Sequence, residues 1–294
     1  MNVQNKKVIQ VETTVKSTMA NVWLSWTEPE FITKWNFASD DWCCPAATNE
    51  LITNGKFSWR MEAKDGSFGF DFSGKYDSIE LFSLISSTLD DGRKIQIEFK
   101  ATDDGVHIIE NFEAEELNSL ESQKNGWQAI LDNFKKFTES YFPSNSLTFE
   151  VIVNAPITKV FQITFDDSHY REWTKEFNET SHFIGNWEKN SKILFVGCDK
   201  DGNIGGMVSR IFENIPDKFV SIEHLGLLQG DKEITSVAEV EQWAGSKENY
   251  LFFDKGDSTL LVANMDSNEE MKDYFLTTFP KALNRLKEIC ESEG

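Results

Sequence analysis

Apolar and polar residues alternate along much of the first half of the chain. Phe57, Trp59 and Met61 alternate with polar neighbours, and this period of two is typical of a strand with one buried face. Runs of β-branched and aromatic residues between turn residues predict further strands. We therefore expect a β-sheet here. Its predicted strands lie at residues 8–15, 57–61, 68–72, 84–88, 95–99 and 106–112.

Three segments of the same half show the signals of helices. Short helices are predicted at residues 19–26, where Ser17 and Thr18 offer N-caps, and at residues 29–35, where Pro29 occupies the first turn. A long closing helix is predicted at residues 117–141, because its apolar residues recur every three or four positions. That apolar face carries Trp127, Ile130, Leu131, Phe134, Phe137 and Tyr141.

The second half of the chain repeats the first. Residues 17–23, which lead to Trp35, correspond at a constant offset to residues 155–161, which lead to Trp173. A repeat longer than the roughly 20–50 residues of a solenoid unit indicates a duplicated domain. In this half we predict strands at 147–153, 192–197, 206–214, 219–225, 237–242, 250–253 and 260–265, and helices at 157–165, 168–173 and 269–291.

The repeat predicts two domains, at residues 1–143 and 144–294, joined by a short linker at residues 142–146. Domains of this size often pair through one face, and a duplication offers the same pairing within a single chain. We therefore expect a pseudo-twofold contact between the halves and a mainly monomeric protein.

The order of the predicted elements indicates the fold class. In each half a strand and two short helices precede a set of antiparallel strands and one long amphipathic helix, which predicts an α+β fold. A strongly curved sheet that closes on one long helix leaves a space between them. Either side chains fill that space or a ligand occupies it, and the pattern leaves both alternatives open.

The charge of the chain narrows the classes of partner. Its 29 Lys and Arg residues stand against 49 Asp and Glu residues, so a nucleic-acid partner is not expected and anionic membranes would repel the chain. The N-terminus lacks the apolar segment of a secretory signal, and no run approaches the roughly 18 apolar residues of a membrane span. We therefore expect a cytoplasmic protein that does not insert into membranes.

Few residues stand in a pattern typical of catalysis or metal binding. The four histidines show no metal-ligand spacing, and the four cysteines form no C-x-x-C motif. His107, the pair Asp40 and Asp41, and Cys43 are candidates for a base, paired carboxylates and a reactive thiol. A hydrogen-bonded strand residue, an acidic loop and an unreactive thiol explain them better. We therefore predict no catalytic residue, no metal site, no cofactor and no enzymatic activity.

Several motifs in a fixed order carry a resemblance to a known family. They are Trp42-Cys43-Cys44-Pro45, Gly55-Lys56-Phe57, Gly74-Lys75-Tyr76 and the segments 60–66, 112–115 and 126–134. Through them residues 8–141 resemble the Hsp90 ATPase activator homologue 1-like (AHSA1-like) family of the START-like (SRPBCC), Bet v 1-type helix-grip superfamily. Residues 146–291 resemble the superfamily more loosely, with Phe279 in place of the closing-helix tryptophan.

The resemblance implies both a fold and a choice of functions. The fold is two tandem helix-grip domains, each a curved antiparallel sheet wrapped around a long C-terminal helix. The function we predict is the binding of a hydrophobic small molecule in the cavity between sheet and helix. The alternatives are stimulation of an Hsp90-type chaperone ATPase or another protein interaction, and thirdly an enzyme acting on a bound aromatic or polyketide-like compound.

The candidate binding residues are aromatic and aliphatic, in a chain that has 24 Phe and 9 Trp residues. Trp59 falls on the inward face of its strand, and Trp127 on the inward face of the closing helix. Core filling is the alternative role for every candidate, whereas surplus aromatic surface suits a pocket for a flat or greasy ligand. The predicted ligand-binding residues are Trp23, Trp35, Trp42, Trp59, Phe70, Phe72, Trp127, Leu131 and Phe134, and Trp26 belongs to the same apolar set.

Overall fold

The computed structural model describes residues 6–143 and 146–292, and the chain divides into two compact units between residues 144 and 145. Each unit combines one antiparallel sheet with a long C-terminal helix. The predicted α+β fold of two tandem helix-grip domains is confirmed. The predicted linker at residues 142–146 includes Ser144 and Asn145, which lie outside the described residues.

The first unit has a seven-stranded sheet in the order β1-β7-β6-β5-β4-β3-β2, with every neighbouring pair antiparallel. Its elements are β1 (Val8–Val15), α1 (Met19–Thr27), α2 (Pro29–Trp35), β2 (Trp42–Asn49), β3 (Lys56–Ala63), β4 (Gly69–Glu80), β5 (Leu84–Leu89), β6 (Lys94–Thr102), β7 (Gly105–Glu113) and α3 (Leu120–Tyr141).

The sheet of the first unit curves around α3. Its register shifts between Cys43 and Ala46 in β2 and between Tyr76 and Ser78 in β4, and such bulges bend a strand and increase its twist. On the concave side, Trp127 of α3 stacks on a phenylalanine of β7 with ring centroids 3.9 Å apart. The long helix therefore lies inside the curve of the sheet, as the apolar periodicity predicts.

The start of α3 differs from the predicted position. We expected the helix to begin at Leu117, but it begins at Leu120 because the hydroxyl of Ser119 accepts a hydrogen bond from the backbone N–H of Ser122 (3.1 Å). The preceding residues form a loop instead. Gln123 holds that loop, since its side-chain amide donates to the carbonyl oxygens of Glu115 (3.1 Å) and Asn118 (2.9 Å).

The second unit has an eight-stranded sheet in the order β8-β15-β14-β12-β11-β10-β9, with β13 paired to β12. Its elements are β8 (Leu147–Val153), α4 (Ile157–Phe165), α5 (Asp167–Trp173), a 3-10 turn (Thr174–Glu176), β9 (His182–Gly185), β10 (Lys192–Cys198), β11 (Ile204–Ile215), β12 (Phe219–Gln229), β13 (Lys232–Ile234), α6 (Ala238–Glu241), β14 (Lys247–Asp254), β15 (Thr259–Met265) and α7 (Glu269–Ser292).

One predicted strand of the second unit is wrong. Residues 237–242 contain a helical turn, α6, in which the carbonyl oxygen of Val237 accepts hydrogen bonds from the N–H groups of Val240 (2.9 Å) and Glu241 (3.0 Å). Val240 is buried while Val237 is exposed. Two apolar residues three positions apart lie on one side of a helical turn, whereas in a strand they point to opposite faces of the sheet. The short strands β9 and β13 were not predicted.

The closing helix of the second unit packs into a continuous core. Phe279 of α7 is buried and stacks on Phe149 of β8, with ring centroids 4.9 Å apart and an interplanar angle of 4°. Leu283 and Leu286 continue the buried face of the helix. None of the helices in the described part of the chain combines the length and the apolar character that crossing a bilayer requires.

Candidate ligand cavity of the first unit

The first unit contains a cavity between the concave face of its sheet and the N-terminal half of α3. Its volume is about 530 Å³, within the range of roughly 300–1,000 Å³ that small-molecule sites occupy. Phe70, which is 42% exposed, lies at the edge that solvent reaches. The walls come from α1, α2, α3, β2, β3, β4 and β7, and from the loops beside them.

The structure brings together six of the nine predicted binding residues. The three others, Trp23, Leu131 and Phe134, lie in the core and are at most 2% exposed. Phe134 meets Trp26 of α1 (4.8 Å between ring centroids) and Trp35 of α2 (5.0 Å), so its inward direction leads to packed side chains rather than to open space. The six that line the cavity are Trp35, Trp42, Trp59, Phe70, Phe72 and Trp127, and Trp26 joins them.

Aromatic rings give the cavity flat walls. Trp59 of β3 stacks on Phe72 of β4 with ring centroids 5.6 Å apart and an interplanar angle of 20°. Trp127 of α3 stacks on Phe112 of β7 (3.9 Å, 12°) and meets Phe72 edge-on (5.8 Å). Stacked and edge-on pairs of this kind hold aromatic rings in fixed orientations. The cavity therefore offers preformed flat surfaces to a ligand.

A buried carboxyl group, which the sequence analysis missed, interrupts this apolar wall. Glu110 of β7 is 7% exposed and lines the cavity between its register partners Val11 of β1 and Ile97 of β6. The sequence could have predicted its position, because Glu110 lies two residues from both Ile108 and Phe112 and therefore on the same inward face of the strand. An analysis that considers only apolar positions does not detect it.

Burial sets the protonation state of Glu110. Removal from water raises the pKa of this carboxyl from 4.5 to about 8, and no hydrogen bond or charge from the described residues opposes the shift. The side chain is therefore mainly neutral at pH 7. A neutral carboxyl offers one O–H donor as well as acceptor oxygens.

Two further polar groups in the cavity wall have no hydrogen-bond partner among the described residues. They are the side-chain amide nitrogen of Asn36, a residue 4% exposed that follows α2, and the indole nitrogen of Trp59. Both are donors. Neither nitrogen is accessible to solvent, and a buried donor without a partner costs about 1–3 kcal/mol.

The rim of the cavity is polar, and an ion pair and hydrogen bonds hold its residues in place. Arg93 lies there with its guanidinium 2.7 Å from the carboxylate of Asp91. The backbone N–H of Glu115 donates to the side-chain oxygen of Gln123 (2.9 Å), and the carboxylate of Glu115 accepts from the backbone N–H of Asn118 (2.9 Å). These bonds fix the loop before α3 beside the opening.

The other chemical candidates lie outside the cavity. His107 is on the opposite face of β7, with its Nδ1 3.2 Å from the hydroxyl of Thr14 and its Nε2 3.6 Å from the carboxylate of Glu12. The thiol of Cys43 donates to the carbonyl oxygen of Glu62 (3.6 Å). Within residues 6–143 and 146–292 no group of three or more His, Cys, Asp or Glu side chains is arranged to hold a metal ion.

Comparison with known proteins identifies relatives of this chain. The model of the family described as Activator of Hsp90 ATPase homolog 1-like protein matches residues 16–139. The AHSA1-like protein from Aeromonas hydrophila is 37% identical, over 46% of this chain and 94% of that one, with a TM-score of 0.44. A protein from Cytophaga hutchinsonii is 48% identical, over 47% of this chain and 94% of that one, with a TM-score of 0.41. No curated protein matches the chain.

Proposed function

The chain belongs to the Activator of Hsp90 ATPase homolog 1-like family. From this premise we propose that the cavity of its first unit binds a flat, largely apolar small molecule. The observation that carries the proposal is the aromatic wall around a volume of about 530 Å³. Ring faces that line an open volume gain contacts and lose water when an apolar ligand enters.

The proposal is of a binding protein and not of an enzyme. Glu110 is the group in the cavity wall best suited to acid–base chemistry, but no hydrogen bond from the described residues orients its carboxyl. A general acid or base works from a fixed position relative to the reacting atom. Mass spectrometry of a compound recovered after long incubation should therefore show an unchanged mass, and a changed mass would indicate catalysis.

Gly126 of α3 provides a direct test of the cavity. This glycine lines the cavity, and a Cβ atom added to it would meet no atom within 4 Å apart from its chain neighbours and the backbone of its own helix. We expect Gly126→Phe to place a ring in the open volume and to abolish binding of the neutral fluorescent probe N-phenyl-1-naphthylamine. Fluorescence titration of the full chain measures this loss, and native mass spectrometry of the same samples detects a co-purified ligand.

Gly126→Ala is the matched control. Its single methyl group leaves most of the volume open, so we expect probe affinity within about twofold of the unsubstituted chain. The same change should stabilise α3 by about 0.5–1 kcal/mol, since alanine favours a helix interior over glycine. Equal probe binding by Gly126→Phe and Gly126→Ala would contradict the proposed cavity function.

A second candidate function follows from the description of the matching family, which names activators of the Hsp90 ATPase. Stimulation of a chaperone ATPase would use the outer surface of the protein and would leave the cavity unused. Gly126→Phe therefore separates the two functions. A stimulation of Hsp90 ATPase activity that survives this substitution unchanged would support the chaperone role, whereas the ligand-binding role requires that probe binding be lost.

A further inference from the structure

We propose that the ligand of the first unit is a planar aromatic compound with one basic nitrogen, which binds as a cation against the carboxylate of Glu110. This inference rests on the proposed binding function and adds the chemical class of the ligand. Its basis is the position of a single acidic group in a cavity whose walls are mainly aromatic rings.

The carboxyl group of Glu110 is accessible from the cavity. The residue lines the cavity and keeps 7% of its surface exposed. Its oxygens have no hydrogen-bond partner among the described residues, yet they retain accessible surface, whereas the unpartnered nitrogens of Asn36 and Trp59 have essentially none. A ligand in the cavity therefore reaches the carboxyl group and does not reach those two nitrogens.

The other charged groups that line the cavity already have partners. The guanidinium of Arg93 pairs with the carboxylate of Asp91 (2.7 Å). The carboxylate of Glu115 accepts a hydrogen bond from the backbone N–H of Asn118 (2.9 Å). Among the described residues of the cavity wall, Glu110 is thus the ionisable group that a ligand would have to satisfy.

A cationic partner uses this wall better than a neutral one. The neutral carboxyl of Glu110 would donate an ordinary hydrogen bond to a carbonyl oxygen, whereas an N–H group of a cation forms a charge-assisted bond to the carboxylate that is about twice as strong. The faces of tryptophan rings attract a cation as well. Because the pKa of Glu110 is about 8, ionising it at pH 7 costs only about tenfold in affinity.

The charge of the chain favours the same class of ligand. A net charge of −20 raises the concentration of cations near the protein and lowers that of anions. The proton of Glu110 leaves when the carboxylate forms. It passes to water if the ligand arrives as a cation, and to the ligand nitrogen if the ligand arrives as the free base.

Three fluorescent probes with a flat three-ring skeleton test this inference, because they differ in charge at pH 7. They are 9-aminoacridine, a cation, 9-acridone, which is neutral and carries a carbonyl oxygen, and anthracene-9-carboxylate, an anion. Titration of the full chain in about 0.15 M salt screens attraction to its exposed charges. We expect 9-aminoacridine to bind at least about tenfold more tightly than 9-acridone, and the anion to bind most weakly.

Glu110→Gln removes the acid and keeps the shape of the side chain. The affinity for 9-aminoacridine should fall by about tenfold or more, and that for 9-acridone should stay within about threefold. Glu113→Gln is the matched control, because Glu113 lies on the outer face of β7 and pairs with Lys6 (3.2 Å), so both affinities should stay within about twofold. Gly126→Phe should abolish the binding of both probes, since both occupy the cavity.

The possible outcomes separate this inference from the proposed function. If the unsubstituted chain bound 9-acridone as tightly as 9-aminoacridine, the inference would be overturned and the proposed function would stand. A preference for 9-aminoacridine that persisted in Glu110→Gln would also overturn it, because the attraction would then come from other charges. If neither these three probes nor N-phenyl-1-naphthylamine bound, the proposed function itself would be contradicted.

Discussion

Replacing Glu110 by glutamine is expected to remove most of the loss of stability that the first unit undergoes as pH rises from about 4.5 to 8. The pKa of this buried carboxyl is raised to about 8, so the folded unit holds a proton that the unfolded chain releases above about 4.5. The first unit is therefore most stable below pH 4.5, and its stability falls as the pH rises until it passes about 8. The free energy of unfolding is expected to differ between these two pH limits by on the order of 5 kcal/mol.

Hydrogen exchange of the full chain, followed by mass spectrometry on peptides from β7 and α3, measures this stability in the first unit separately. Glutamine stays neutral, so Glu110→Gln should gain protection over the unsubstituted chain as the pH rises. Glu113→Gln is the matched control, because Glu113 lies on the outer face of β7 and pairs with Lys6 (3.2 Å). Parallel pH profiles for Glu110→Gln and the unsubstituted chain would contradict the expected effect.

Local periodicity predicted the direction of the cavity residues but not their depth. Trp59 and Trp127 fall on inward faces by strand alternation and by helical spacing, and both line the cavity. Leu131 and Phe134 satisfy the same helical rule, yet both are buried, and Phe134 packs against Trp26 of α1 and Trp35 of α2. Which part of an inward face is packed depends on contacts distant in sequence, and a periodic pattern does not contain them.

The polar part of the site was harder to predict than the aromatic part. Asn36 follows a short helix and resembles any other helix-ending residue until the tertiary structure places it beside the cavity. Gly126 lies within α3, and no neighbouring residue in the sequence indicates that open space lies beside it. Glu110 alone had a sequence signal, a charged residue in the inward phase of a strand, which is unfavourable unless a partner or a function requires it.

Three polar residues of the second unit, Ser209, His224 and Glu248, contact one another. The hydroxyl of Ser209 lies 2.9 Å from Nδ1 of His224, whose Nε2 lies 3.5 Å from the carboxylate of Glu248. Such mutual satisfaction is ordinary for buried polar groups. The carboxyl of Glu110 differs from that of Glu248, because no hydrogen bond or charge from the described residues offsets its burial.

Two tryptophans of the first unit should differ in how much stability their truncation costs. Trp23 is 2% exposed and packs edge-on against Phe99 (5.3 Å), so Trp23→Ala should destabilise the unit by about 3–5 kcal/mol. Trp59 borders open volume and has fewer contacts to lose, so Trp59→Ala should cost about 1–2 kcal/mol. Hydrogen exchange on peptides of the first unit measures both changes.

Probe binding by the native state separates wall from core in the same pair of variants. Trp59→Ala removes one flat face of the cavity wall, so the affinity for N-phenyl-1-naphthylamine should fall by about tenfold while the unit stays folded. Trp23→Ala should leave native-state affinity within about twofold, because its ring does not line the cavity. If Trp59→Ala instead destabilised the unit as much as Trp23→Ala and left native-state binding unchanged, Trp59 would be a core residue and the ligand wall would lose its central ring.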